Sequence, residues 1–295
     1  MQVIRFPGVK GRAAGAAVAR GAAAVCLLSV AGCAGHLASR PGVFEASRQE
    51  VALGGRTIHP TYVRPVTPRH PGRLVVFATG DAGWWGASGK IFEHLAGLGY
   101  YVVGYDSREA LKPFKQSGKK ISISKSAAGL EAAFAQAKRD LGLPETAPLI
   151  AVGMSRGASL VALMAVHREM QQDLAGGIAI ALTRESDYLR APDPASSRVP
   201  VQLDSEGRIE IYPALQYLGP VPLAVIQSTH DRYVPSAESR RLLGPDTSTR
   251  RLWEVEARNH GFGGGRDALL LALDDALRWV EKTTNAAAGE ATPRR

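Results

Sequence analysis

The sequence predicts an α/β fold with a mostly parallel central sheet. Three observations predict it: short uninterrupted apolar runs, their alternation with segments of helical periodicity, and a serine between glycines where one such run meets a helix. Val51-Ala52-Leu53 and Thr57 to Val63, separated by Gly54-Gly55, read as an antiparallel hairpin. Leu74-Val75-Val76-Phe77-Ala78 is apolar throughout, as a strand buried on both faces must be. A helix is expected from about Trp85 to Leu98, a strand over Tyr101 to Tyr105, and a helix from Ser124 to Leu141, where Leu130, Phe134, Ala137 and Leu141 share one face. Leu149 to Gly153 then forms a strand that enters Ser155 and a helix carrying Leu160, Leu163, Met164 and His167, followed by a strand over Gly177 to Leu182. From Thr183 to Leu218 the rhythm breaks into charged, Pro- and Ser-rich sequence, too long for a simple connection and expected to form a lid-like excursion. It resumes with a strand at Val221 to Ser228, a helix at Ala237 to Leu243, a strand at Arg251 to Ala257 and a helix from Arg266 to Lys282. One domain over residues 51–283 is expected, preceded by a small, polar tether at 33–50 and followed by a disordered tail at 284–295.

Of 295 residues, 45% are hydrophobic and 21% charged, enough to bury one substantial core. The net charge of +9 is spread without a dense basic run interleaved with aromatics, which argues against a nucleic-acid groove. Residues 1–32 carry Arg5, Lys10, Arg12 and Arg20 and no acid, then a small, apolar stretch from Gly21 to Val30. That stretch is about half the roughly 20 residues a membrane span needs, so it reads as a secretory signal. The ending Val30-Ala31-Gly32-Cys33 resembles a bacterial lipobox, which implies cleavage before Cys33 and a lipid on its sulfur. The alternative is an ordinary signal cut near Ala31 or Ala34. Removing the leader takes the net charge from +9 to +5, a balance that favours an anionic membrane surface. Cys26 leaves with it, so no pair of cysteines remains for a disulfide or a thiolate metal site, and neither metal nor cofactor is expected.

Gly153-Met154-Ser155-Arg156-Gly157 stands where a buried strand meets a helix, the setting of a nucleophile elbow. A serine hydroxyl needs a base within hydrogen-bond reach and a third group to fix that base's tautomer. In the α/β-hydrolase fold the chain order is serine, acid, histidine. His260, in Asn259-His260-Gly261-Phe262-Gly263, follows the last strand; Asp231 follows the strand before it. Asp204 is the competing acid, inside the irregular excursion. Two oxyanion donors are expected, the Arg156 N–H and an N–H of Asp81 or Ala82 in the loop Thr79-Gly80-Asp81-Ala82-Gly83-Trp84. The Arg156 guanidinium either covers its helix or offers a site for a phosphodiester.

Gly80-Asp81-Ala82-Gly83-Trp84, Val102-Val103-Gly104-Tyr105-Asp106-Ser107 and the elbow followed by Ala158 together resemble the bacterial VirJ/AcvB family of exported virulence proteins, over roughly Leu74 to Val280. The resemblance implies an α/β-hydrolase fold, a Ser155–Asp231–His260 triad and hydrolysis of lysyl or alanyl esters of phosphatidylglycerol at the periplasmic membrane surface. Ala82 departs from the family's usual glycine, which puts the shape of that loop in question. A substrate with an α-ammonium calls for a carboxylate near the pocket mouth, and Asp106, Glu185 and Asp187 are the candidates. Two other readings stand beside this one. A general periplasmic carboxylesterase or lipase would have an apolar acyl pocket, and a non-catalytic accessory protein binding a secretion partner would not need a triad. The residue after Cys33 is Ala34 rather than an aspartate, which points to the outer membrane, whereas the expected substrate is made at the inner one.

Overall fold

The computed structural model describes residues 37–53, 56–110, 121–167, 171, 174–190 and 201–290; the leader, Cys33 and the turn Gly54-Gly55 lie outside them. The main sheet has eight strands: β1 (Phe44–Arg48), β2 (Thr61–Pro65), β3 (Leu74–Ala78), β4 (Tyr101–Tyr105), β5 (Leu149–Met154), β6 (Leu174–Ile180), β7 (Leu223–Ser228) and β8 (Arg250–Val255). Their spatial order is β1-β2-β4-β3-β5-β6-β7-β8. The strands from β4 to β8 run parallel, while β2 is antiparallel to both β4 and β1. Central β3 pairs Val76 with Val103 on one side and with Ala151 on the other.

Side chains alternate between two cores, which is why the strand segments read as continuous apolar runs. Leu74, Val76, Ala151 and Val225 face a core shared with Ala137 and Leu141 of α2 (Ile123–Leu141) and with Val161 and Met164 of α3 (Arg156–Val166). Val75, Phe77, Ile150 and Ile226 face the other, with Ile91 and Leu95 of α1 (Ala87–Gly97) and Leu273 and Val280 of the last helix. Helix α4 (Ser236–Leu243) joins β7 to β8, and α5 (Arg266–Glu290) closes the chain. Chain order reverses between β3 and β5, whose crossovers leave in opposite directions, so a crevice opens at the carboxyl ends of these two strands. Ser155 and the loop after β3 lie there.

Three expectations need correction. The tether is not a tether throughout, since Phe44–Arg48 forms edge strand β1, with Phe44 only 2% exposed in the core. The tail is helical through Glu290; three consecutive alanines favour helix, and Thr284 Oγ1 donates to the Ala175 carbonyl (2.6 Å) while Asn285 Oδ1 accepts from Arg73 Nη2 (2.9 Å). The hairpin is Val51–Leu53 with Arg56–Ile58, and Pro60 separates it from β2.

Within the excursion, Glu185–Ser186 pairs with Ile209–Glu210, and a one-turn helix spans Ile211–Ala214. Tyr188, Leu189, Ile209, Tyr212 and Leu215 anchor it to the α3 core, while 191–200 lie outside the described residues. Among the described residues no helix is long and apolar enough to cross a membrane.

Truncating Phe44→Ala is expected to cost about 3 kcal/mol of unfolding free energy, as for other buried phenylalanines, measured by urea denaturation of the full chain. A loss under roughly 0.5 kcal/mol, the range of ordinary surface substitutions, would return residues 44–48 to the status of a tether.

Candidate active site

Ser155 follows β5 directly and stands at the N-cap of α3 with φ 54° and ψ −114°, a backbone conformation that L side chains rarely adopt. Two glycines make the elbow possible by removing atoms. A Cβ on Gly157 would lie 2.2 Å from the Ala78 carbonyl oxygen of β3, and one on Gly153 would lie 2.2 Å from the Gly157 carbonyl oxygen. The Ser155 N–H donates to the Ile180 carbonyl (2.8 Å), and the Ser155 carbonyl accepts from Ser159 N–H (3.1 Å). The strained residue is therefore held by the neighbouring strand and by the first turn of its helix.

Asp231 and His260 come from the loops after β7 and β8, which are adjacent in the sheet. Asp231 is 1% exposed, and its carboxylate accepts from His260 Nδ1 (2.7 Å), Gln227 Nε2 (3.1 Å) and the Tyr233 N–H (2.8 Å). A buried charge persists only with such partners. Because a carboxylate only accepts, Nδ1 carries the proton and Nε2 presents its lone pair. Nε2 is buried and has no hydrogen-bond partner among the described residues, so the structure joins His260 to Asp231 but shows no hydrogen bond from Ser155 Oγ to it. Phe262 pins the histidine loop: it is fully buried with φ 55°, while Asn259 Oδ1 accepts from the N–H groups of Gly261 and Gly263 (3.0 Å each). Asp204, the competing acid, spends its carboxylate on Arg208 Nε (2.6 Å) and on the N–H groups of Arg208 and Glu206. Those contacts, the Arg208 N–H first, hold it below the usual carboxylate range, and it fixes a turn of the excursion rather than the histidine.

The loop after β3 lies directly against Ser155, since a Cβ on Gly80 would sit 2.9 Å from its Cβ and 3.5 Å from its Oγ. Gly83 N–H bonds the Gly80 carbonyl (3.0 Å), closing a turn around Asp81 and Ala82. Positive φ in this loop falls on Gly83 (60°), not on Ala82, so alanine at position 82 carries no strain. The base of the loop is tied down by Ser107, whose Oγ donates to the Thr79 carbonyl (2.5 Å) and whose N–H donates to Thr79 Oγ1 (3.0 Å). Ser107 and Gln227 have roles that sequence reasoning did not assign; Ser107 stood in the Val102–Ser107 run, but nothing local shows what it bonds.

A cleft of about 340 Å³ opens beside Ser155 and is lined mainly by polar and charged groups: Asp81, Arg156, Ser159, Thr183, Arg184, Glu185, Asp187, Tyr188, Arg208 and Tyr233. Of the proposed carboxylates, Asp187 and Glu185 line it, with Glu185 paired to Arg208 (3.4 Å). Asp106 does not; both its oxygens bond Arg108 (2.8 and 3.2 Å). The Arg156 guanidinium is 14% exposed and held between Asp81 (Nε to Oδ1 2.8 Å, Nη2 to Oδ2 3.0 Å) and Asp187 (3.3 Å), so it faces two carboxylates where a phosphodiester site would need it open. No group of three or more metal-ligating side chains occurs among the described residues.

No protein-family model matches this sequence, and no curated protein does. Solved structures share the fold. A protein assigned as a dienelactone hydrolase from Klebsiella pneumoniae subsp. pneumoniae is 15% identical, with a TM-score of 0.56 over 81% of this chain and 98% of that one. Est1E from Butyrivibrio proteoclasticus is 14% identical, with a TM-score of 0.53 over 79% and 99%. An acylaminoacyl peptidase from Pyrococcus horikoshii is 14% identical at TM-score 0.54, and there the match covers 82% of this chain but 42% of the longer one. Strand order and these neighbours agree: the chain has the α/β-hydrolase fold.

Replacing the buried acid, Asp231→Asn, is expected to lower hydrolysis of p-nitrophenyl acetate by roughly 10³- to 10⁴-fold through the wrong histidine tautomer. Asp204→Asn should stay within about threefold of the parent, as a surface substitution does. The reverse ranking would assign the triad acid to Asp204.

Proposed function

We propose that the protein is a serine hydrolase of carboxylic esters, and that its substrate is the aminoacyl ester of an aminoacylated phosphatidylglycerol, lysyl or alanyl, at a periplasmic membrane surface. In this reading Ser155 Oγ attacks the ester carbonyl as His260 Nε2 takes its proton, and Asp231 holds the imidazolium that forms. The Arg156 N–H and the loop donor at Asp81 or Ala82 receive the oxyanion. Collapse of the tetrahedral intermediate breaks the bond to the lipid's glycerol oxygen, which leaves with the proton from His260. Water, deprotonated by the same nitrogen, then releases the amino acid from Ser155.

One observation carries the choice of substrate. The cleft beside Ser155 is lined by Asp81, Asp187 and Glu185, paired with Arg156 and Arg208, and among the described residues its large aromatic surfaces are Tyr188 and Tyr233. A fatty acyl chain gains little in so polar a cleft, whereas an acyl group bearing an α-ammonium can compete with the arginines for a carboxylate near Ser155. The resemblance of the Gly80–Trp84 and Val102–Ser107 runs to VirJ/AcvB proteins supports the same lipid. So does the sequence ending in Cys33, whose lipidation would keep the enzyme at the surface where that substrate resides.

The test is to incubate the purified protein and Ser155→Ala with vesicles containing lysyl- or alanyl-phosphatidylglycerol and to measure free amino acid by mass spectrometry. Release by the parent and not by the alanine variant is expected. Without serine-dependent release the lipid assignment fails, and if p-nitrophenyl butyrate is nevertheless cleaved through Ser155, the protein is a general esterase.

A further inference from the structure

We propose that Arg156 and Asp187 are positioning residues that brace the oxyanion hole and couple its geometry to the excursion over the cleft. The inference rests on reading Ser155 as the nucleophile. Arg156 supplies one oxyanion donor from its backbone, and the second donor lies in the loop at Asp81 or Ala82. The side chains join these same two segments: the Arg156 guanidinium grips the Asp81 carboxylate with a hydrogen bond from Nη2 to Oδ2 at 3.0 Å and an ion-pair contact from Nε to Oδ1 at 2.8 Å. A planar fork against a carboxylate fixes direction as well as distance, which a lysine cannot do. The two donors are thus fastened to each other by a bridge outside the peptide backbone.

The excursion completes the brace from its other side. Asp187 reaches the same guanidinium at 3.3 Å (Nη1) and 3.5 Å (Nη2). Tyr188 packs its ring 5.3 Å below the guanidinium carbon and donates its hydroxyl to the Arg156 carbonyl at 2.7 Å. Burial pushes the tyrosine's pKa upward, so the phenol stays protonated and remains a donor. One residue of the elbow is therefore held at its side chain and at its backbone by two successive residues of the excursion. The two halves of the brace differ in strength. The Asp81 half is short and aligned, whereas the Asp187 contacts are long and Nη1 makes no hydrogen bond, so the excursion side is the half that can release. Asp81 and Asp187 are 59% and 57% exposed while Arg156 is 14% exposed, which places the carboxylates at the water-facing side and the cation beneath them.

The test uses the full chain and a fluorophosphonate probe. Reaction forms a bond from Ser155 Oγ to phosphorus, breaks the P–F bond with loss of fluoride, and sends the serine proton to His260, with charge building on the phosphoryl oxygen in the oxyanion hole. Arg156→Lys retains the cation but not the fork, and Asp187→Asn retains the size but not the charge. The maximal rate of labelling is expected to fall about 100-fold for Arg156→Lys and about 10-fold for Asp187→Asn, the range that misplaced donors cost. The half-saturating probe concentration and the thermal midpoint should stay near the parent's values. Parent-like rates in both variants overturn the brace. A raised half-saturation at unchanged maximal rate also overturns it, because Arg156 would then be contacting the ligand itself. Labelling of Ser155→Ala would remove the nucleophile, and with it both this inference and the function it rests on.

Discussion

The contact between Gly157 and the Ala78 carbonyl of β3 sets the terms for the rest of the site. It lets α3 start against the neighbouring strand, and that start forces Ser155 to φ 54° at the end of β5. Strain of this kind costs of order 1–3 kcal/mol and survives only where surrounding structure over-determines it. Here the over-determination is visible: β3 on one side, the Ile180 carbonyl on the other, and a helix whose first turn begins at the serine. From it follows the placement of Ser155 between the end of β5 and the first residue of α3. The loop after β3 can approach to Gly80 because glycine there leaves room beside Ser155.

Charge organisation is the second level of the design. Asp231 is buried with three donors, so it is a fixed anion whose direction is set by Gln227 and the Tyr233 N–H as much as by His260. In the cleft, by contrast, carboxylates and arginines alternate and are partly exposed: Asp81 and Asp187 around Arg156, and Glu185 beside Arg208. A buried fixed charge suits an atom that must hold one tautomer, and paired charges near water suit a surface that exchanges partners as a charged ligand enters.

How much of this could be read from the sequence depended on how local each cause was. β3 through β7 were legible because burial on both faces leaves few polar residues in a strand, whereas edge strand β8 keeps Arg250, Arg251 and Glu254. The elbow and the Asp231–His260 pairing were legible because each residue follows a strand in a fixed order. Edge strand β1 was missed, since Phe44-Glu45-Ala46-Ser47-Arg48 buries little beyond the phenylalanine and looks like polar linker. The last helix was ended early because Gly289 and the polar residues around it obscured the helix-forming alanines before it. At Ala82 the departure from glycine looked consequential, but the loop places its positive φ one residue later, on Gly83. Contacts spanning dozens of residues, such as Asp81–Arg156–Asp187 and Ser107–Thr79, leave no local signature and needed the fold.

The central claim is that Ser155, activated by His260 and Asp231, is the atom that carries the acyl group. Rapid-quench intact-mass spectrometry with a slowly deacylated p-nitrophenyl ester, followed by peptide mapping, reads it directly. Ser159 is the informative control, because it lines the same cleft with its hydroxyl bonded to Thr183 Oγ1 (2.8 Å) and has no histidine partner. One acyl group on Ser155, formed in a burst and absent from His260→Ala, is the expected result. An adduct on Ser159, or turnover with no covalent species on any serine, would contradict the account.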